Sequence, residues 1–153
     1  MGQIKLISWD VYGTIIASGN DETSDVEEQE KSRARPRALE AIMAIRSRGI
    51  SQITSSDSDL KNLKASLKGI GIAWQDYFDD LYQMVPGQPK DFSQIIQRYN
   101  IQPENLLVIG DREYFDINLA KKQGCAVLHV PEERSSDNPI PVEEILKMLD
   151  KKA

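Results

Sequence analysis

The sequence predicts an α/β fold: a doubly wound parallel sheet with helices on both faces. Three observations carry that expectation. Short apolar runs alternate with amphipathic segments along the whole 153-residue chain. Two of those runs, IKLISW (4–9) and NLLVIG (105–110), are apolar almost throughout, as strands covered on both faces are. Reactive side chains recur just past the strand ends, where a doubly wound sheet collects its ligands.

The elements follow in order. After the first strand, RPRALEAIMAIRSRG (35–49) puts Leu39, Ile42, Met43 and Ile45 on one side of a helix, with Pro36 at its start and Gly49 at its end. ISQIT (50–54) is a short second strand. Asp57 or Ser58 then caps a helix carrying Leu60, Leu63 and Leu67. LYQMV (81–85) reads as a third strand and DFSQIIQRY (91–99) as a helix. Beyond NLLVIG comes EYFDINLAKKQG (113–124), a helix closed by Gly124, and then CAVLHV (125–130), the last strand. PVEEILKMLDKK (141–152) ends the chain as a helix, with proline at its start and lysines where the helix dipole favours them. Strand–helix alternation implies right-handed crossovers and one domain over residues 1–153.

One segment departs from this rhythm. ASGNDETSDVEEQEKSRAR (17–35) holds six acids, three bases and almost no large apolar residue. Such a composition predicts a solvated insertion. Its functional form is a polar flap over Asp10, with Lys31, Arg33 or Arg35 touching an anionic substrate.

Bulk composition narrows the class. Hydrophobic content is 40% and charged content 28%, as in an ordinary globular domain. The formal net charge of −5 argues against a nucleic-acid partner, which would need a basic face. No apolar run reaches the length of about 20 residues that spans a bilayer, so no membrane partner is expected. A single cysteine, Cys125, and a start without a secretory pattern point to a reducing, cytoplasmic setting.

The chemistry concentrates at four strand ends. Asp10 follows the first strand and Thr54-Ser55 ends the second. Lys90 lies in GQPKDF, and Asp111 with Asp116 lies in GDREYFD after the fourth strand. If the first strand is central and the fourth its neighbour across the winding reversal, Asp10 and Asp111 become adjacent. Two such carboxylates repel unless one is protonated or a cation lies between them. All-oxygen ligands favour Mg²⁺, which takes further coordination from water and substrate phosphate. A threonine hydroxyl and a lysine ammonium complete an anion site suited to a carboxylate nucleophile and an aspartyl-phosphate.

The residues DVYGT, ITSS, PK and GDREYFD resemble the four motifs of the haloacid dehalogenase (HAD) superfamily, over residues 4 to about 131. The resemblance implies a Rossmann-like core without a large cap domain, and a hydrolase, most often a Mg²⁺-dependent phosphatase. It makes Asp10 the nucleophile, with Thr54 and Lys90 holding the phosphoryl group. Tyr12, Gly13, Thr14 and Ser55 would line the substrate. Asp10, Asp111 and the main-chain carbonyl of Tyr12 would hold the metal, with Asp116 supporting the metal loop. The implied partner is a phosphorylated small molecule or macromolecule, with a second copy of the chain as a lid.

Position 12 departs from the phosphatase pattern. Phosphatases of the superfamily usually read D-x-D, the second acid protonating the leaving oxygen and then activating water. A phenol with its pKa near 10 is a poor base at neutral pH, and losing a positioned acid or base typically costs about 10²–10⁴-fold. D-x-Y-G-T looks like the 2-haloacid dehalogenase spelling, but those enzymes carry a helical cap that 17–35 is too short and polar to form. The alternatives are therefore a dehalogenase-like hydrolase and a non-catalytic phosphate- or metal-binding module. His129 and Cys125 read as structural residues of the last strand, and Trp9 as core.

Overall fold

The computed structural model describes residues 2–17, 32–131 and 138–150. Five strands form one sheet: β1 (Leu6–Trp9), β2 (Ser51–Ser56), β3 (Asp80–Gln83), β4 (Leu106–Gly110) and β5 (Ala126–His129). The order is β3-β2-β1-β4-β5 and every pairing is parallel. β1 is therefore central, with Leu6 opposite Ser51 on one side and Leu106 on the other. The winding reverses at β1–β4, as the sequence predicts.

The helices are α1 (Ala38–Ser47), α2 (Leu60–Gly69), α3 (Ser93–Tyr99), α4 (Leu119–Lys122) and α5 (Val142–Leu149). A π-helical turn, Glu113–Asn118, leads directly into α4. Strand alternation divides the core in two. Ile7, Trp9, Leu107 and Ile109 pack with α1, α2 and α5 through Ile42, Ile45, Leu63, Leu67 and Ile145. Leu6, Ile53, Leu106 and Val108 pack with α3 and α4 through Ile95 and Ala120. Consecutive side chains of β1 and β4 thus serve opposite faces, which is why both strands are apolar but for the buried Ser8. Trp9 is core as expected, and its indole N–H donates to Gln52 Oε1 at 2.8 Å.

Three local expectations shift. The cap of α2 is Asp59 rather than Asp57 or Ser58. Its extended backbone (φ −67°, ψ 152°) lets the carboxylate accept from Asn62 N at 2.9 Å. Helix α1 buries Ala38, Ala41, Ile42 and Ile45, an i, i+3, i+4, i+7 stripe that leaves Met43 outside at 55% exposure. The two alanines let the helix approach the sheet where bulkier residues would hold it away. The 17–35 insertion is anchored at its C-terminal end: Ile16 and Ala34 bridge antiparallel, and Ser32 and Arg35 are buried. The flap itself, residues 18–31 with Lys31, lies outside the described residues.

Candidate active site

The predicted acids converge beyond the carboxyl ends of β1 and β4. Asp10, Asp111 and Asp116 each offer an oxygen within 4.8 Å of the other two. Asp10 N donates to Ile109 O at 2.9 Å, so the main chain of β4 fixes where β1 releases its acid. Asp116 enters from the π-helical turn. One carboxylate oxygen accepts from Arg112 N at 3.0 Å and the other meets Lys90 Nζ at 2.8 Å. A π turn is uncommon and frequently marks a functional site.

Two glycines allow the approach. A Cβ on Gly13, whose φ is +87°, would lie 2.4 Å from Asp111 Oδ2. A Cβ on Gly110 would lie 2.5 Å from the Asp116 Cβ. The glycine of YGT and the glycine of GDREYFD each clear room for one carboxylate.

Lys90 is the countercharge. Its ammonium donates to Asp10 Oδ1 at 2.6 Å and to the Ser55 carbonyl at 2.7 Å, and it is 3% exposed. Its own N–H donates to Phe115 O at 2.9 Å, tying the lysine loop to the π turn. Thr14 donates to Asp10 Oδ2 at 3.2 Å or Asp111 Oδ1 at 3.3 Å. Arg112 stands further out, 3.7 Å from Asp57 and over the Phe115 ring at 4.8 Å.

Charge does not balance within this cluster. Burial pushes the Asp10 carboxyl up to about 6; the Lys90 ammonium opposes the rise and neighbouring Asp111 adds to it. Asp111 is raised by burial and then by Asp116, and Asp116 by burial and then by Asp10. Burial alone would lower the Lys90 pKa, yet Asp10 and Asp116 together hold it above its ordinary value. Asp10 and Asp116 share one buried ammonium, Asp111 lies beside them with the half-exposed Arg112 at the edge, and the converging donor set is entirely oxygen. These residues fit a hard divalent cation such as Mg²⁺.

The pH consequence has a definite sign. Folded Asp10 titrates near 6 and the unfolded group near 3.8. Between those values the folded state holds a proton that the unfolded state has lost, so stability falls as pH rises through that window. In metal-free protein this amounts to about 3 kcal/mol. Urea unfolding at several pH values should show the loss between pH 4 and 6 in the parent and not in Asp10→Asn. A pH-independent difference between the two proteins refutes it.

The remaining site residues are distributed unevenly. Thr54 pairs with Trp9 in the sheet and shares its face, so it does not join Asp10 and Lys90; its buried Oγ1 has no hydrogen-bond partner. Ser55 is the better placed neighbour. Its carbonyl meets Lys90, and its hydroxyl lies 2.5 Å from that of Ser8. Strand parity carries this signal, because Ser55 falls on the face of Ser8 and Thr54 does not. The Tyr12 hydroxyl reaches α2, 2.7 Å from Ser66 Oγ and 3.4 Å from Asn62 O. Arg35, one of the three basic residues offered for an anionic substrate, is instead buried, its guanidinium on the carbonyls of Gly13 and Asn138. The antiparallel pairing of 15–17 with 33–35 turns it inward. His129 is exposed, its Nε2 3.0 Å from Asp111 O, and Cys125 is buried with its thiol pushed up to about 11 by burial.

Comparison with known proteins agrees with this geometry. A family model for haloacid dehalogenase-like hydrolases matches residues 19–124, more than half of the chain. The match begins after the Asp10 loop and takes in Lys90, Asp111 and Asp116. No curated protein matches the sequence. Among solved structures, the chain is similar to a predicted phosphoglycolate phosphatase from Haemophilus somnus 129PT (TM-score 0.70, 17% identity, covering 97% of this chain and 99% of that one). It is also similar to the L-2-haloacid dehalogenase from Xanthobacter autotrophicus (TM-score 0.67, 15% identity, 99% and 90% covered). A third is a HAD family enzyme from Bacteroides thetaiotaomicron, an Asp-to-Ala mutant in complex with magnesium and inorganic phosphate (TM-score 0.65, 14% identity, 84% and 95% covered). At these identities the likeness is one of fold. Among the described residues, no helix is long and apolar enough to cross a membrane.

Proposed function

This chain belongs to the haloacid dehalogenase-like hydrolases, and from that premise we propose that it is a Mg²⁺-dependent phosphatase working through an aspartyl-phosphate on Asp10. The observation that carries the reading is the meeting of Asp10, Asp111 and Asp116 around the buried ammonium of Lys90. A metal-free dehalogenase has no use for three converging carboxylates. It also needs a cation for the substrate carboxylate, and Arg35 is turned inward while Arg112 is engaged with Asp57.

Asp10, Asp111 and Asp116 would hold the ion with the Tyr12 carbonyl, and the ion supplies Lewis-acid neutralisation of phosphoryl oxygens. Asp10 is the nucleophile. Lys90 fixes its Oδ1 and faces incoming negative charge, while Thr14 orients the opposite oxygen against Asp111. Attack forms a bond from Asp10 to phosphorus and breaks the bond to the leaving oxygen; water then releases phosphate and regenerates the carboxylate. The substrate is then a phosphorylated small molecule or macromolecule, with a second copy of the chain as a lid.

The first step lacks a proton donor at position 12, since the Tyr12 hydroxyl is held on α2. The reading therefore favours substrates whose leaving group departs unprotonated, such as aryl or acyl phosphates. Tyr12→Asp should raise turnover of an alkyl phosphate by about 10–100-fold while changing aryl turnover little. Steady-state kinetics with Mg²⁺ on matched aryl and alkyl phosphates tests both points. Inert parent and inert Tyr12→Asp on every phosphate overturn the reading.

A further inference from the structure

Arg35 is the one arginine among the described residues that the fold buries completely, at 1% exposure, and the reaction above does not use it. Its Nε donates to the Asn138 carbonyl at 2.7 Å and its Nη1 to the Gly13 carbonyl at 3.2 Å. Its main chain is fixed as well. Arg35 N donates to Ile15 O at 2.8 Å, and Ala17 N to Arg33 O at 2.8 Å. The stretch containing Asn138 is tied back in turn, with Ile140 N donating to Pro36 O at 2.9 Å. One guanidinium thus stands where residues 13–17, 32–36 and 138–140 meet.

What it grips is not a passive loop. The Gly13 peptide lies directly against the Asp111 carboxylate, as the 2.4 Å gap to a hypothetical Cβ records. The next residue, Thr14, is in reach of both Asp10 and Asp111. Moving the Gly13 carbonyl by a few tenths of an ångström, of the order that metal geometry tolerates, therefore changes the gap between two ligands of the proposed ion. A planar guanidinium holds two carbonyls with donors spaced in a fixed fork; a lysine ammonium at position 35 would offer a single nitrogen on a flexible stem and could not reproduce the Nε and Nη1 positions.

We propose that Arg35 is a positioning residue for the divalent-ion site, setting ion affinity by clamping the Gly13 carbonyl behind Asp111. This rests on the reading that the carboxylate cluster binds Mg²⁺. The test is calorimetric titration of Mg²⁺ into the parent, Arg35→Lys and Arg35→Ala, with thermal unfolding of the metal-free proteins measured separately. Arg35→Lys should stay folded and bind Mg²⁺ about tenfold more weakly, the scale of a lost outer-shell contact. Arg35→Ala should lose affinity similarly, and millimolar guanidinium should restore it toward the parent value. General destabilisation predicts no such rescue, since guanidinium weakens folding. Unchanged affinity in Arg35→Lys, or a loss in Arg35→Ala that guanidinium leaves untouched, overturns the proposal. If Arg35→Ala does not fold, Arg35→Lys decides alone. A parent protein that binds no Mg²⁺ overturns the metal reading itself, and this inference with it.

Discussion

Replacing Asp10 by asparagine should abolish phosphate release while leaving the fold intact. The amide keeps the shape of the side chain, its oxygen accepting from Lys90 while its nitrogen donates to the Thr14 hydroxyl, but it cannot form an acyl phosphate. Losing a nucleophile that acts within a coupled group costs on the order of 10⁴-fold or more in kcat. The structural cost runs the other way. Asp10 is 4% exposed, its carboxyl is raised to about 6 by burial, and Asp111 adds to that rise. A neutral side chain there removes a desolvated charge, so metal-free Asp10→Asn should be at least as stable as the parent at pH 7. Lys90 keeps its contact with Asp116 and the Ser55 carbonyl. Aryl phosphate turnover and urea unfolding on the same samples separate the two effects. A variant that retains more than about one hundredth of parental turnover removes Asp10 from the nucleophile role, because residual binding and electrostatics alone do not reach that level.

Much of this was legible before folding, for identifiable reasons. β1 and β4 announce themselves because both faces are covered, so nearly every position is apolar and the acids at their ends stand out. The adjacency of Asp10 and Asp111 followed from winding order alone, and the sheet order β3-β2-β1-β4-β5 supplies it. What periodicity did not give was finer. Thr54 and Ser55 are equally good hydroxyls in a string of letters, and only register against Trp9 and Ser8 tells their faces apart. The α1 stripe was displaced because a count of large apolar residues overlooks Ala38 and Ala41, whose small size is what the packing uses. Arg35 departs from its composition for a similar reason. It ends a highly charged stretch, and composition assigns such a residue to solvent, whereas the antiparallel bridge at Ile16 and Ala34 draws it beneath the loop. The direction of Tyr12 had no local signal at all, since its partners Ser66 and Asn62 lie 54 and 50 residues away.

Lys90→Met carries the largest expected effect on stability. Methionine fills a comparable volume but leaves Asp10 and Asp116 buried without their shared ammonium, and it strips the Ser55 carbonyl of its donor. Removing one partner from a buried ion pair costs about 3–5 kcal/mol, because the remaining charge has neither water nor a counterion. The cost must depend on pH. Asp10 and Asp116 are already displaced upward by burial, and loss of Lys90 displaces both further, so mild acid neutralises them. The deficit relative to the parent should therefore be largest above pH 7 and shrink as pH falls through about 6, where Asp10 of the parent is itself protonated. Mg²⁺ should recover part of it at pH 7, since a divalent ion answers the same unbalanced charge from the Asp111 side. Urea unfolding at pH 7 and pH 4.5, with and without Mg²⁺, reads all three features. A loss under about 1 kcal/mol at pH 7 in metal-free protein, against the cost expected for a broken buried pair, would mean that the carboxylates are already protonated there. The lysine would then not be the group that keeps Asp10 ready to attack.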